Sequence, residues 1–138
     1  MTERPERQWA IDLQRTLDAL VAADDVLGGV VATEDGLVLA TRLPVGLDGE
    51  ALAAAAAAAG SFAERALAGA NWGDLEIVAL EATKLKLIVC PLSVGYLLTV
   101  AEPDADLRPL VPQIAGAARD LNRTSTPFVG APEGAGAL

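Results

Sequence analysis

The side chains able to do acid, base or metal chemistry lie in a few short clusters. Carboxylates are paired at Asp24 and Asp25, at Glu34 and Asp35, and around Asp104 and Asp106. Two carboxylates in reach of one another can divide the acid and base roles or give oxygen ligands to a hard cation. Each pair, however, falls at a junction between apolar stretches, where caps and turns select short acidic side chains on their own account. We assign all three to caps and turns. Lys84 and Lys86 are the only lysines and alternate along a strand-like segment, so they share one face or edge. Guarding a sheet edge and meeting an acidic partner both fit them. The single cysteine, Cys90, rules out an internal disulfide and suits a core or strand-end position in a reducing compartment. Arg42 and Arg65 are of the type that can be offered to a partner's phosphates, yet exposed arginines are mostly solvated.

What is missing narrows the reading further. The sequence has no histidine, which removes the commonest general base, the Ser-His and Cys-His nucleophile pairs and most transition-metal sites. No stretch reads as a phosphate-cradling G-x-x-x-x-G-K-[ST] loop or as G-x-G-x-x-G after a strand. The expectation is a chain that is not an enzyme, needs no cofactor or metal and binds no nucleotide by itself. Ten basic against nineteen acidic side chains give a net charge of −9, which argues against nucleic acid and anionic lipid as partners. An interacting protein with a basic patch is more plausible.

The elements that would carry these residues follow from periodicity. A chain of 138 residues suits one domain around one core. Trp9, Leu13, Leu17, Leu20 and Val21 recur on one stripe and predict a helix from Trp9 to Ala23. Val26 to Thr33 reads as a strand with a bulge or close neighbour at Gly28 and Gly29. Asp35-Gly36 then predicts a hairpin turn in which both residues take positive φ, with Leu37 to Arg42 returning. Asp48 is placed to cap a helix ending near Gly69. Leu75 to Ala82, Leu85 to Pro91 and Tyr96 to Glu102 read as three further strands, several apolar on both faces and so covered on both sides. A last helix lies between Asp106 and Leu121, its start disturbed by Pro109 and Pro112. The fold class is α+β: a five-stranded antiparallel sheet flanked by helices on both faces, in the order α-β-β-α-β-β-β-α. Residues 1–8 are expected to be a flexible N-terminus, 9–122 the domain and 123–138 a disordered tail.

The central helix is unusual in composition. From Ala51 to Ala59 every residue but Leu52 is alanine. On a wheel, Leu52, Ala55, Ala56, Ala59, Phe62, Ala63 and Ala66 form an apolar face assigned to the core, with Glu50, Ser61, Glu64 and Arg65 opposite. Between these lie two flanks bare of side chains, Ala53, Ala57 and Gly60 on one side, Ala51 and Ala58 on the other. A second copy could approach either flank closely. Alanine is also simply the best helix former and costs nothing on a solvated face. The run is shorter than the ~20 residues that span a bilayer, so no membrane insertion is expected. Met1 to Gln8 lacks the apolar stretch of a secretory signal, which points to the cytoplasm. The strand Glu76-Ile77-Val78-Ala79-Leu80 is too apolar to be left as an open edge. The expected homodimer interface is therefore Ala53, Ala57 and Gly60 with Glu76, Ile77, Val78, Ala79 and Leu80.

Several strings resemble the Roadblock/LC7 family. They are Gly28 to Ala40 as strand, Asp-Gly turn and strand, Leu52 to Leu67 as central helix, and Tyr96 to Ala101 as last strand. The resemblance spans about Trp9 to Leu121. It implies a profilin-like or longin-like layered domain that homodimerises by pairing the third strand and central helix with their mates. It further implies a non-enzymatic regulator or adaptor of a Ras-like small GTPase, in some family members by accelerating hydrolysis. The alternative is a structural scaffold subunit of a larger complex without effect on a nucleotide cycle.

Overall fold

Residues 3–123 are described by a computed structural model, the side chains from Arg7 onward. Helix α1 spans Glu3–Val21, strands β1 Val26–Thr33 and β2 Val38–Arg42, helix α2 Gly49–Ala68, strands β3 Val78–Glu81, β4 Lys86–Leu92 and β5 Gly95–Ala101, and helix α3 Leu107–Arg123. The strands form one antiparallel sheet in the order β2-β1-β5-β4-β3, so the α+β class and the element order agree with the sequence reading. Helix α1 begins six residues before Trp9, inside the segment expected to be flexible. Arg123 closes α3 and does not open a tail. The disorder expected for 124–138 lies outside the described residues.

The two faces of the sheet are covered unequally. On one face α1 and α3 bury Trp9, Leu13, Leu17, Leu20, Leu110, Ile114, Ala118 and Leu121 against Val31, Ile88, Cys90, Leu97 and Ala101. On the other, α2 alone packs Ala53, Ala56 and Ala57 onto Val30, Ala32, Val89, Tyr96, Leu98 and Val100. Strand alternation produces both sets, and each large side chain removed from water contributes about 1.5–3 kcal/mol. β5, buried at all seven residues, is the spine.

Local chemistry sets the joints. Asp48 accepts from Glu50 N at 3.0 Å and from Ala51 N at 3.4 Å, capping α2 as expected. The β1–β2 turn differs from expectation in type. Gly36 has φ +88 while Asp35 stays at negative φ. Thr33 N donates to Leu37 O at 2.9 Å and Gly36 N to Thr33 O at 3.0 Å, giving a three-residue loop closed by one left-handed residue. The positive φ requires glycine, and the turn lies against α2, with Ala54 Cα 3.3 Å from where a Cβ on Gly36 would stand. β1 carries a register shift between Val26 and Gly28 where it pairs with β5. Helix α3 starts at Leu107 on a cap from Asp106, whose carboxylate accepts Arg108 N at 3.0 Å. Pro112 sits inside the helix but on its exposed side, where the carbonyl it leaves without an N–H can meet water. β3 is shorter than the predicted Leu75 to Ala82, because the chain joins β4 only from Val78 onward.

Two stability predictions follow from packing. Gly60 lies over the Tyr96 ring, and a Cβ there would fall 2.2 Å from Tyr96 Cε1. Helix propensity alone favours Gly60→Ala by about 1 kcal/mol, but overpacking costs about 1–3 kcal/mol. The variant should therefore lose stability, read as a lower urea midpoint at unchanged slope; a gain would show that the ring moves aside freely. Thr99 is fully buried in β5, and its hydroxyl has no protein partner. Thr99→Val, which removes a desolvated donor at nearly constant shape, should leave stability unchanged or raise it by about 1 kcal/mol. A clear loss of thermal stability in Thr99→Val would contradict this.

Candidate interaction surface

The residues with chemical potential fall into structural roles. Asp24 and Asp25 form the α1–β1 turn, with Asp25 at φ 72 and its carbonyl accepting Glu102 N at 2.9 Å. Glu34 and Asp35 are exposed in the first hairpin. Asp106 is held by Arg108 through two side-chain bonds of 3.1 and 3.0 Å, and these bonds push its carboxyl below the usual range. Among the described residues no group of three or more acids or cysteine could hold a metal ion. Burial pushes the Cys90 thiol up to about 11, so at neutral pH it remains a protonated thiol, a poor nucleophile. Lys86 guards no edge, since β4 lies inside the sheet. Its Nζ donates to Ala105 O at 2.7 Å and lies 3.5 Å from Glu81, tying β4 to the loop before α3.

Helix α2 turns a different face to the sheet from the one the wheel assigned. The stripe Ala53, Ala56, Ala57 and Gly60 is buried, whereas Phe62 is 67% exposed and Ala66 is exposed. The reason is space. Tyr96, Leu98 and Val100 rise from the strands below, so the helix comes down on its smallest residues. Close approach also brings Tyr96 Oη to Glu64, to whose carboxylate it donates at 2.5 Å. Burial first, and then Glu64, raise the tyrosine far above its ordinary pKa. Ala53, Ala57 and Gly60 thus contact their own sheet. Phe62 and its neighbours face outward.

One helix cannot cover a face that spans five strands, and the shortfall lies beside β3. Between the outer flank of α2 and β3 runs an apolar groove of ≈ 530 Å³, lined by Phe62, Ala63 and Ala66 on one wall and Ile77, Val78 and Leu80 on the other. Of the residues expected at an interface, Ile77 and Val78 are half-buried, and Ala79 and Leu80 are exposed. Glu76 lies apart, ahead of the strand, in a second cleft with Cys90, Arg119 and Asn122 beside α3.

The sheet ends in two edges, and they differ. At β2 the side chain of Gln14 in α1 donates to Thr41 O at 3.1 Å, and Arg42 pairs with Asp18 at 3.1 Å. The β3 edge has no such cover among the bonds described. Sequence reasoning did not single out Gln14, because a polar residue on the outside of a helix reads as solvated. It named Phe62, Ala63 and Ala66 but put them on the wrong side.

Comparison with known proteins places this architecture. The sequence model of the Roadblock/LC7 domain matches residues 12–102. The uncharacterized protein MJ0310 of Methanocaldococcus jannaschii is 32% identical over 95 residues, covering 69% of this chain and 83% of that protein. The structure of a Roadblock/LC7 domain from Streptomyces avermitilis superposes with a TM-score of 0.71 at 25% identity, over 81% of this chain and 96% of that one. The fold is shared with Myxococcus xanthus MglB, at TM-score 0.74 and 13% identity over 83% of this chain and 87% of that one. It is also shared with the gliding protein MglB of Thermus thermophilus, at TM-score 0.71 and 15% identity over 87% and 90%. The chain belongs to the Roadblock/LC7 family.

Proposed function

We propose that this protein is a non-enzymatic homodimer that regulates, or serves as adaptor for, a Ras-like small GTPase in the cytoplasm. The observation that carries the dimer is the apolar groove between α2 and the uncovered β3 edge, where Phe62 and Leu80 are left in water. An open apolar strand edge is a liability, and a two-fold copy offers the same groove in return. The GTPase is the partner that the family resemblance implies. The surface left for it is acidic, with a net charge of −9 over the chain that favours a partner with a basic patch. A regulator must also bind the two nucleotide states of its partner unequally, since equal affinity shifts no equilibrium. No helix among the described residues is long and apolar enough to cross a membrane.

Leu80→Arg should convert a species of about twice the chain mass into a monomer with an unchanged circular-dichroism spectrum, because Leu80 is 43% exposed and leaves the core intact. Light scattering gives the answer, and a persistent dimer would remove the β3 groove from the interface. Ala57→Arg is not equivalent, since Ala57 is buried between α2 and the sheet; it should unfold the chain.

The regulator reading is tested by titrating the protein against the cognate GTPase loaded with GDP and with a GTP analogue. The expected result is unequal affinity, or a changed hydrolysis or exchange rate, while the protein alone neither binds nor hydrolyses GTP. Equal affinities with untouched turnover would leave the inert scaffold subunit as the better account.

A further inference from the structure

The pairing of β3 with β4 stops at Val78 opposite Val89, and one residue accounts for it. Ala82 donates its N–H to Leu85 O at 3.0 Å, which makes these two a hydrogen-bonded pair. Bonded and non-bonded pairs alternate along an antiparallel ladder. Leu80↔Leu87 and Val78↔Val89 are therefore bonded, and the next bonded pair in this register would be Glu76 with Pro91. Proline has no N–H to give. On its other side Pro91 faces Tyr96 in β5. There the alternation asks nothing of it, because its backbone groups point toward β3. The ladder thus ends before Glu76, and Leu75 and Glu76 leave the sheet.

Between that departing segment and α3 lies the cleft of ≈ 340 Å³ that holds Glu76, Arg119 and Asn122, at the small end of the range for ligand sites. Its floor is apolar: Cys90 and Ala118 are buried, and Leu75, Pro91 and Ala115 half-buried. Its walls carry opposite charges. Among the described residues neither Glu76 nor Arg119 is in an ion pair, with the other or with any neighbour. Asn122 accepts Ser93 N at 2.8 Å through its side-chain oxygen, which leaves its NH2 group as a donor. The Pro91 carbonyl, directed at the strand position that Glu76 does not fill, is a further acceptor.

A ligand that uses all of these groups has a cation for Glu76 and the Pro91 carbonyl, an anion for Arg119 and the Asn122 amide, and a compact apolar part for the floor. A simple anion would meet only Arg119 and Asn122, against a chain charge of −9. A simple cation would meet only the acceptors, and neither would cover the floor. We propose that this cleft binds a free α-amino acid with an aliphatic side chain. Its ammonium group lies on Glu76, its carboxylate on Arg119 and Asn122, and its side chain over Cys90 and Ala118. Hydrogen bonds between charged groups orient it. Both charged walls are exposed, so each contact is weak and the affinity expected is of the order of 1 mM. The site goes beyond the regulator reading and does not rest on it.

The test is calorimetry in ~0.15 M salt, which screens the net charge, with the thermal midpoint as a second measurement. The probes are L-leucine, leucinamide, which lacks the carboxylate, and N-acetylleucine, which lacks the ammonium group. The full chain is compared with Glu76→Gln and Arg119→Gln, both at exposed positions. Leucine should bind the unsubstituted chain about ten-fold more tightly than either analogue. Arg119→Gln should lower leucine to the level of leucinamide, and Glu76→Gln should lower it to the level of N-acetylleucine, each with an unchanged circular-dichroism spectrum. No heat and no midpoint shift with leucine at ~10 mM would overturn the proposal. Leucine binding that both substitutions leave untouched would place the amino acid elsewhere and overturn it too. Equal affinity for all three probes would reduce the site to its apolar floor and overturn the roles of Glu76 and Arg119. None of these results bears on the GTPase titration, so the two readings fail separately.

Discussion

Much of this structure depends on how closely α2 approaches the sheet. The helix lies on Ala53, Ala56, Ala57 and Gly60, and nothing larger fits over the Tyr96 ring at Gly60. That contact sets the rotation of the helix about its axis. Once the small stripe faces down, Phe62 must face out, Glu64 comes within reach of the Tyr96 hydroxyl, and the Gly36 turn sits against Ala54. The groove beside β3 results from the same rotation. A bulkier helix would stand farther off and leave both Tyr96 and the turn without a neighbour.

The asymmetry of the layers has an energetic side. Two helices with large apolar side chains bury one face of the sheet, whereas one helix of methyl groups buries the other. Methyl groups remove little area from water, and buried area is what the hydrophobic effect rewards. The α2 face is thus the less stabilised of the two in an isolated chain. Area buried on Phe62, Val78 and Leu80 by a partner would supplement the face that has least of its own.

Strand and helix existence was readable because the patterns were strong: nearly unbroken apolar runs in β1 and β5, a leucine stripe in α1, a capping Asp48. The rotation of α2 was not readable, because a helix with alanine almost all round offers the wheel no contrast. The wheel then follows its largest residues, Leu52 and Phe62, whereas close packing against Tyr96 follows the smallest. The length of β3 was overestimated for a related reason. Glu76 and Ile77 have strand-like composition, but pairing begins only where β4 supplies a partner, at Val78 opposite Val89. The role of Gln14 depends on α1 passing beside the β2 edge, 27 positions away in sequence, and no local pattern carries that.

The two edges of the sheet decide what kind of assembly it can enter. A sheet open at both ends can add copies without limit, the route by which exposed strands aggregate. Here the Thr41 carbonyl, which a strand adding to β2 would need as acceptor, already receives the Gln14 amide, and Arg42 beside it is drawn toward Asp18. Such exposed contacts contribute little to stability; their effect is on which pairing is open. A strand adding to β2 would have to displace the Gln14 bond, which leaves β3 the more open edge. In the proposed homodimer, pairing two β3 edges about a two-fold axis would use up both and stop association at two copies.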